Sequence, residues 1–374
     1  MAQDDVVSLF IELASVPSPP GDERAVADQV AAYMRDLGLE VSEDDAGSRI
    51  GSNAGNLYAR VEATDGGTPL FLCAHLDTVP PEADIDPVLE DGVIRNAVGT
   101  ILGADNKSAV AVMLEATRRI LSENRPHGGL ELLFTPMEET GLHGAAAFDE
   151  ERLHARIGYV YDQAAPIGEV ILGAPYAHSM EVKIHGCAAH SGMYPEEGRS
   201  AIAAAAKAIA DFKLGRVDEE SSANVGLISG GTAGNIVPEW CSFLAEARSH
   251  DPQKLADLVR EMLEAATFAA SLEDCQVETE VHKSYNGYRF KRDDDAVRIA
   301  SSALERSGFE PSYTLSGGAA DANVFNERGL ACVNLANGMA EIHTPEEHIA
   351  VADLERMVDV TLALVDVARE TDAA

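Results

Sequence analysis

PLFLCA (69–74), ADNKSAVAVMLEATRRIL (104–121) and GLELLFT (129–135) decide how this chain is read. The first and third are nearly unbroken apolar runs about one strand long, while the second repeats its apolar positions at helical spacing. GYVY (158–161) is another run of the strand kind. Strands buried on both faces and separated by helices belong to a parallel sheet with helices on either side. Upstream, Asp22 to Leu37 places Val26, Val30, Tyr33, Met34 and Leu37 on one face, a helix that Gly38 would end.

From about Tyr176 the pattern changes. HSMEVKIHG (178–186) alternates like a half-buried strand, and RSAIAAAAKAIADF (199–212) is an Ala-rich helix. ANVGLIS (223–229) and WCSFLAEARS (240–249) read as strands, DPQKLADLVREMLEAATFAA (251–270) as a helix and CQVETEVHK (275–283) as a last strand. That order describes a ferredoxin-like α+β sandwich. After Asn286 the first pattern returns, with a helix at 294–307, a strand at ACVNLA (331–336) and a helix at 351–369. The expected fold class is therefore α/β. A larger domain with a mixed, mostly parallel sheet covered by helices (1–175 and 287–374) is interrupted by a smaller α+β domain (176–286).

At 374 residues the chain can bury full-sized cores without staples. Its formal net charge of −35 repels phosphates and anionic lipids, so nucleic-acid and membrane-surface roles are disfavoured. The five cysteines are odd in number, far apart and without C-x-x-C, which points to reduced core thiols in a cytoplasmic protein. MAQDDVVSLFIELASV has no basic start and no cleavage signal, so no secretory peptide is expected.

The chemistry gathers at strand ends. His75 and Asp77 follow PLFLC, Glu138 and Glu139 follow ELLFTPM, Asp162 follows GYVY, and His343 lies just beyond CVNLA. Asp105 opens the helix after GTILGA. In an open α/β sheet, ligands bind outside the carboxyl ends of the strands. H-x-D alone is an ordinary strand-end turn, and Asp105 alone an N-cap. Five segments converging on one edge make a metal site of imidazole and carboxylate without thiolate, suited to zinc, with manganese or cobalt able to replace it. His75, Asp105, Glu139, Asp162 and His343 suffice for two ions, Glu138 is left free as general base, and Asp77 is placed to orient the His75 imidazole.

Together, HLDTV, GADNKS, EETGLHGA, YD, GCAAHSGMYPEEGRSAI, GGTAGNIVP, EARS, GGAADAN and HTPEE resemble the dinuclear zinc metallopeptidases. That family includes peptidase T, carboxypeptidase G and acetylornithine deacetylase, and the match runs in order from about residue 8 to 360. The resemblance implies two zinc ions bridged by Asp105, one completed by His75 and Asp162, the other by Glu139 and His343. It implies Glu138 as base, Asp77 as orienting acid, His190 as oxyanion stabiliser from the small domain, and Asn235 and Arg248 as substrate-binding groups. Asp rather than Glu at position 162, and the PEEGRSAI and EETGLHGA forms, look most like peptidase T. The expected function is a tripeptidase-type aminopeptidase acting on short peptides, the larger domain being catalytic and the small domain either a lid or the interface of a homodimer. A carboxypeptidase or N-acyl-amino-acid deacylase is the alternative on the same scaffold. A non-catalytic binding protein would have lost Glu138 or a ligand, and neither is lost. Asp321 reads as a helix cap.

Overall fold

Leu70–His75 is buried along its whole length, as a strand with helices over both faces must be. It pairs in parallel with Leu130–Thr135 on one side and Ile157–Gln163 on the other. Because all three run the same way, His75, Thr135 and Asp162 reach a common edge. Ala331–Ala336 extends the parallel set beyond Ile157–Gln163. Leu57–Val61 and Glu169–Ala174 pair antiparallel further out, which makes the nine-stranded sheet mixed. The packing is tight enough to exclude a methyl group: a Cβ at Gly158 would lie 2.2 Å from the Phe71 ring. That ring in turn meets Phe325 edge-on at 5.2 Å.

The computed structural model describes residues 5–371. Ala174–Tyr288 is one compact unit, and the chain up to Gly173 and from Arg289 forms the other. The smaller unit thus starts and ends two residues outside the 176–286 read from the sequence. Helices Arg24–Asp36, Ala104–Ser122, Asp295–Arg306 and Val351–Glu370 lie where the apolar periodicity predicts them. The sequence reading missed the hairpin Pro87–Glu90 with Val93–Asn96, although Asp91-Gly92 between them is a hairpin-turn signal and both residues have positive φ.

In the smaller unit, Tyr176–His185, Ser221–Gly230, Trp240–Ser249 and Gln276–Tyr285 form an antiparallel sheet, with the two-residue strand Gly215–Arg216 at its edge. Numbered along the chain, the four long strands lie in the order second, third, first, fourth, the ferredoxin-like arrangement. Helices Ala201–Asp211 and Pro252–Leu272 supply Ala204, Ala205, Leu258 and Met262 to its core, against Val182, Ile184 and Phe243.

Candidate metal centre

The strand-end geometry brings His75 and Asp162 to one edge, and two turns add the rest. After Thr135 the chain turns through Met137, whose positive φ of 55° is unusual for a side chain with a Cβ. The turn closes when Gly141 and Leu142 donate to the Glu138 carbonyl. Asp105 follows Gly103, and Asp105 and Asn106 both depart from helical angles. Its carboxylate does not cap the helix as a lone Asp would. Oδ1 lies 3.1 Å from His75 Nε2 and Oδ2 lies 3.2 Å from His343 Nε2. On one side His75 Nε2 is 3.9 Å from Asp162, and on the other His343 Nε2 is 3.0 Å from Glu139. The ligand-type atoms of His75, Asp105 and Glu139 fall within 4.8 Å of one another. All five predicted ligands are therefore gathered around Asp105.

Asp77 does more than the sequence suggests. The far nitrogen of His75 meets the Asp77 main-chain carbonyl at 2.9 Å, with the carboxylate 3.5 Å away. The two carboxylate oxygens accept the N–H groups of Glu138 at 2.9 Å and Glu139 at 3.1 Å. Asp77 thus orients an imidazole and holds both glutamates by their backbone.

The electrostatics suit a bound cation. Burial opposes the imidazolium of His75, but Asp105, Asp162 and Asp77 outweigh it and raise its pKa well above the usual value. His343 is pushed up to about 10 by its hydrogen bonds to Asp105 and Glu139. Burial would raise the Asp105 carboxyl, yet His343 and His75 hold it below the usual carboxylate range. Burial and then the Asp105 charge push Asp162 up to about 7. Glu138 is raised well above a normal glutamate by burial, reinforced by Asp162, Asp321 and Glu139 and partly offset by His75. Crowding carboxylates out of water is stable only with cations among them. Two imidazoles and several carboxylates with no thiolate fit divalent metal ions.

Asp321 is no cap. Its carboxyl is 3% exposed, accepts from Thr135 Oγ1 at 2.5 Å, and has no partner for Oδ1 among the described residues. Burial pushes it up to about 6. Three further buried groups escaped the sequence reading. Glu23 accepts the N–H of Met137 at 3.2 Å and the Ser52 hydroxyl at 2.5 Å. Lys107 donates to the Val16 carbonyl, and Glu347 accepts main-chain N–H groups beside Asp105. The last two lie inside the GADNKS and HTPEE motifs, which were their only signal.

In the smaller unit, His190 is exposed and its Nδ1 accepts from Gly192 and Met193 at 3.2 Å. Asn235 stands on the adjoining loop, its carbonyl accepting from Ser191 at 3.1 Å. Arg248 forms a two-pronged pair with Glu246, both bonds at 3.1 Å. It is aligned with Ala177, whereas the other end of its strand is aligned with His185. His190 and Asn235 therefore lie towards one end of the small sheet and Arg248 at the other, roughly 25 Å apart along a strand.

The fold, with imidazoles and carboxylates gathered where its parallel strands end, suits a hydrolase that holds divalent ions. Residues 71–367 match the profile of peptidase family M20/M25/M40, and the chain belongs to that family. It is similar to YqjE, an uncharacterised protein of Bacillus subtilis strain 168, with 37% identity over 357 residues and 96% of each chain covered. Among solved structures it resembles aminopeptidase PepT from Bacillus cereus ATCC 10987, with a TM-score of 0.88, 40% identity, and 97% of this chain and 98% of that one covered. A tripeptidase from Staphylococcus aureus gives a TM-score of 0.94 at 35% identity, covering 98% of each. The resemblance read from the motifs and the α/β fold class both hold, and the chain is a peptidase.

Proposed function

We propose that this peptidase removes the N-terminal residue from short peptides, as a tripeptidase-type aminopeptidase. One observation carries the two-metal part of the reading: each oxygen of Asp105 faces a different imidazole, each with its own second carboxylate. The likeness to the PepT and tripeptidase structures supports the choice of aminopeptidase. Two zinc ions, or manganese or cobalt in their place, would be held by His75 with Asp162 and by His343 with Glu139, sharing Asp105. Bound there, such ions supply Lewis acidity to a water and to a peptide carbonyl.

The protein's own groups do the rest. Glu138 is 9% exposed and anchored through its backbone by Asp77, and its raised proton affinity suits a general base that later protonates the leaving amine. Asp162 stands where a longer Glu would reach further, and the shorter side chain is proposed to leave room for a substrate ammonium. His190 is proposed to stabilise the developing oxyanion. Asn235 and Arg248 are proposed substrate-binding groups, tested separately because they stand at opposite ends of the sheet. Cytoplasmic residence and a homodimer through the small unit belong to the same proposal. Leu227, Ile228 and Trp240 are all more than half exposed on that sheet, which supports the dimer, and sedimentation equilibrium tests it.

The experiment compares one tripeptide with its N-acetylated twin, using the zinc-loaded protein and identifying the products by mass spectrometry. Release of the N-terminal residue from the free-amine form alone supports the aminopeptidase. Cleavage of the blocked form, or release from the other end, overturns it in favour of a deacylase or carboxypeptidase.

A further inference from the structure

Glu347 is 1% exposed, and its carboxylate meets one predicted ligand, Asp105, through that residue's backbone N–H. Its Oε2 accepts the N–H groups of Leu102 at 2.7 Å and Gly103 at 2.8 Å, and its Oε1 accepts that of Asp105 at 2.9 Å. Three amides of one turn converge on one carboxylate. The turn also runs close to its neighbours: Gly103 has a φ of 79°, and a Cβ there would sit 3.2 Å from Thr78 Cγ2. The fully buried amine of Lys107 faces this carboxylate and Asp77 and donates to the Val16 carbonyl, and burial pushes its pKa down to about 7.

The same short segment carries His343, four residues earlier and at a positive φ of 63°. One stretch of chain thus supplies a ligand to one side of Asp105 and an anchor to the turn that presents Asp105. We propose that Glu347 is a positioning residue for metal binding: through three main-chain hydrogen bonds it holds residues 102–105 so that Asp105 offers one oxygen to each half of the site. The proposal rests on the two-metal reading above and goes beyond it by naming what sets the spacing of the shared ligand. Partners that orient a metal ligand characteristically change metal affinity 10–100-fold when altered.

Glu347→Gln keeps the shape but turns an amide NH2 towards one of the three N–H groups, so the turn loses part of its anchor. Glu347→Asp keeps the charge on a shorter arm. The test is calorimetric titration of zinc into chelator-stripped wild type and both variants, with far-UV circular dichroism as the folding control. The wild type is expected to take up two ions. Glu347→Gln, natively folded, should bind at least one of them about ten-fold or more weaker, with Glu347→Asp in between. Wild-type affinity for both ions in Glu347→Gln overturns the proposal. Should Glu347→Gln fail to fold, Glu347→Asp decides alone: weakened zinc binding supports the proposal and unchanged binding overturns it. A wild type that takes up no zinc would instead sink the two-metal reading itself, and the proposal with it.

Discussion

Replacing Asp77 by alanine should destabilise the larger unit before any metal is considered. The carboxylate is fully buried, and its two oxygens accept the N–H groups of Glu138 and Glu139. Truncation leaves both donors without their acceptor, the Glu138 N–H in a buried place and the Glu139 N–H in a half-buried one. Each orphaned group costs about 1–3 kcal/mol, so the loss should be roughly 2–6 kcal/mol. Asp77→Asn keeps one acceptor oxygen and should lose about half as much. The assay is urea unfolding of the chelator-stripped protein followed by far-UV circular dichroism. The single Trp240 lies in the smaller unit, so its fluorescence reports that unit separately. Trp240 should keep its midpoint while the circular dichroism transition moves. A loss below about 1 kcal/mol for Asp77→Ala would refute the claim that these two hydrogen bonds hold the glutamate turn.

Glu138→Gln should lower turnover about 10²–10⁴-fold while metal content by plasma mass spectrometry stays at the wild-type level. In the chelator-stripped protein His75 and His343 hold protons at neutral pH, so zinc uptake at pH 7 should release protons into a weakly buffered solution. The contribution of His343 to the stability of the stripped protein should fall with rising pH. Its folded pKa is raised from 6.5 to about 10, so that contribution is complete below 6.5 and gone above about 10, which the difference in urea midpoint between wild type and His343→Gln across that window would show. Gly158→Ala drives a methyl group to within 2.2 Å of the Phe71 ring and should cost about 1–3 kcal/mol in thermal or urea unfolding.

The central strands were legible because a strand buried on both faces is a plain apolar run, as in Leu70–His75. The five candidate ligands stood out for a related reason: each is a polar residue at or a few positions past such a run, or opening the next helix. What escaped was whatever depends on distant parts of the chain. Asp321 looks like a cap because only local sequence is visible, whereas its partners Thr135 and Cys73 lie 186 and 248 positions away. Glu347 and Asp105 are 242 positions apart and meet through a backbone N–H that has no sequence signature. Asn235 and Arg248 lie close in sequence, but the sheet carries them to opposite ends, because an extended strand separates neighbours faster than any other element.

The most direct test of the central claim is an anomalous-difference map from crystals grown with zinc. Two peaks are predicted, one against His75 and Asp162 and the other against His343 and Glu139, both in contact with Asp105. A single ion among these residues, or zinc bound only elsewhere, would contradict the account.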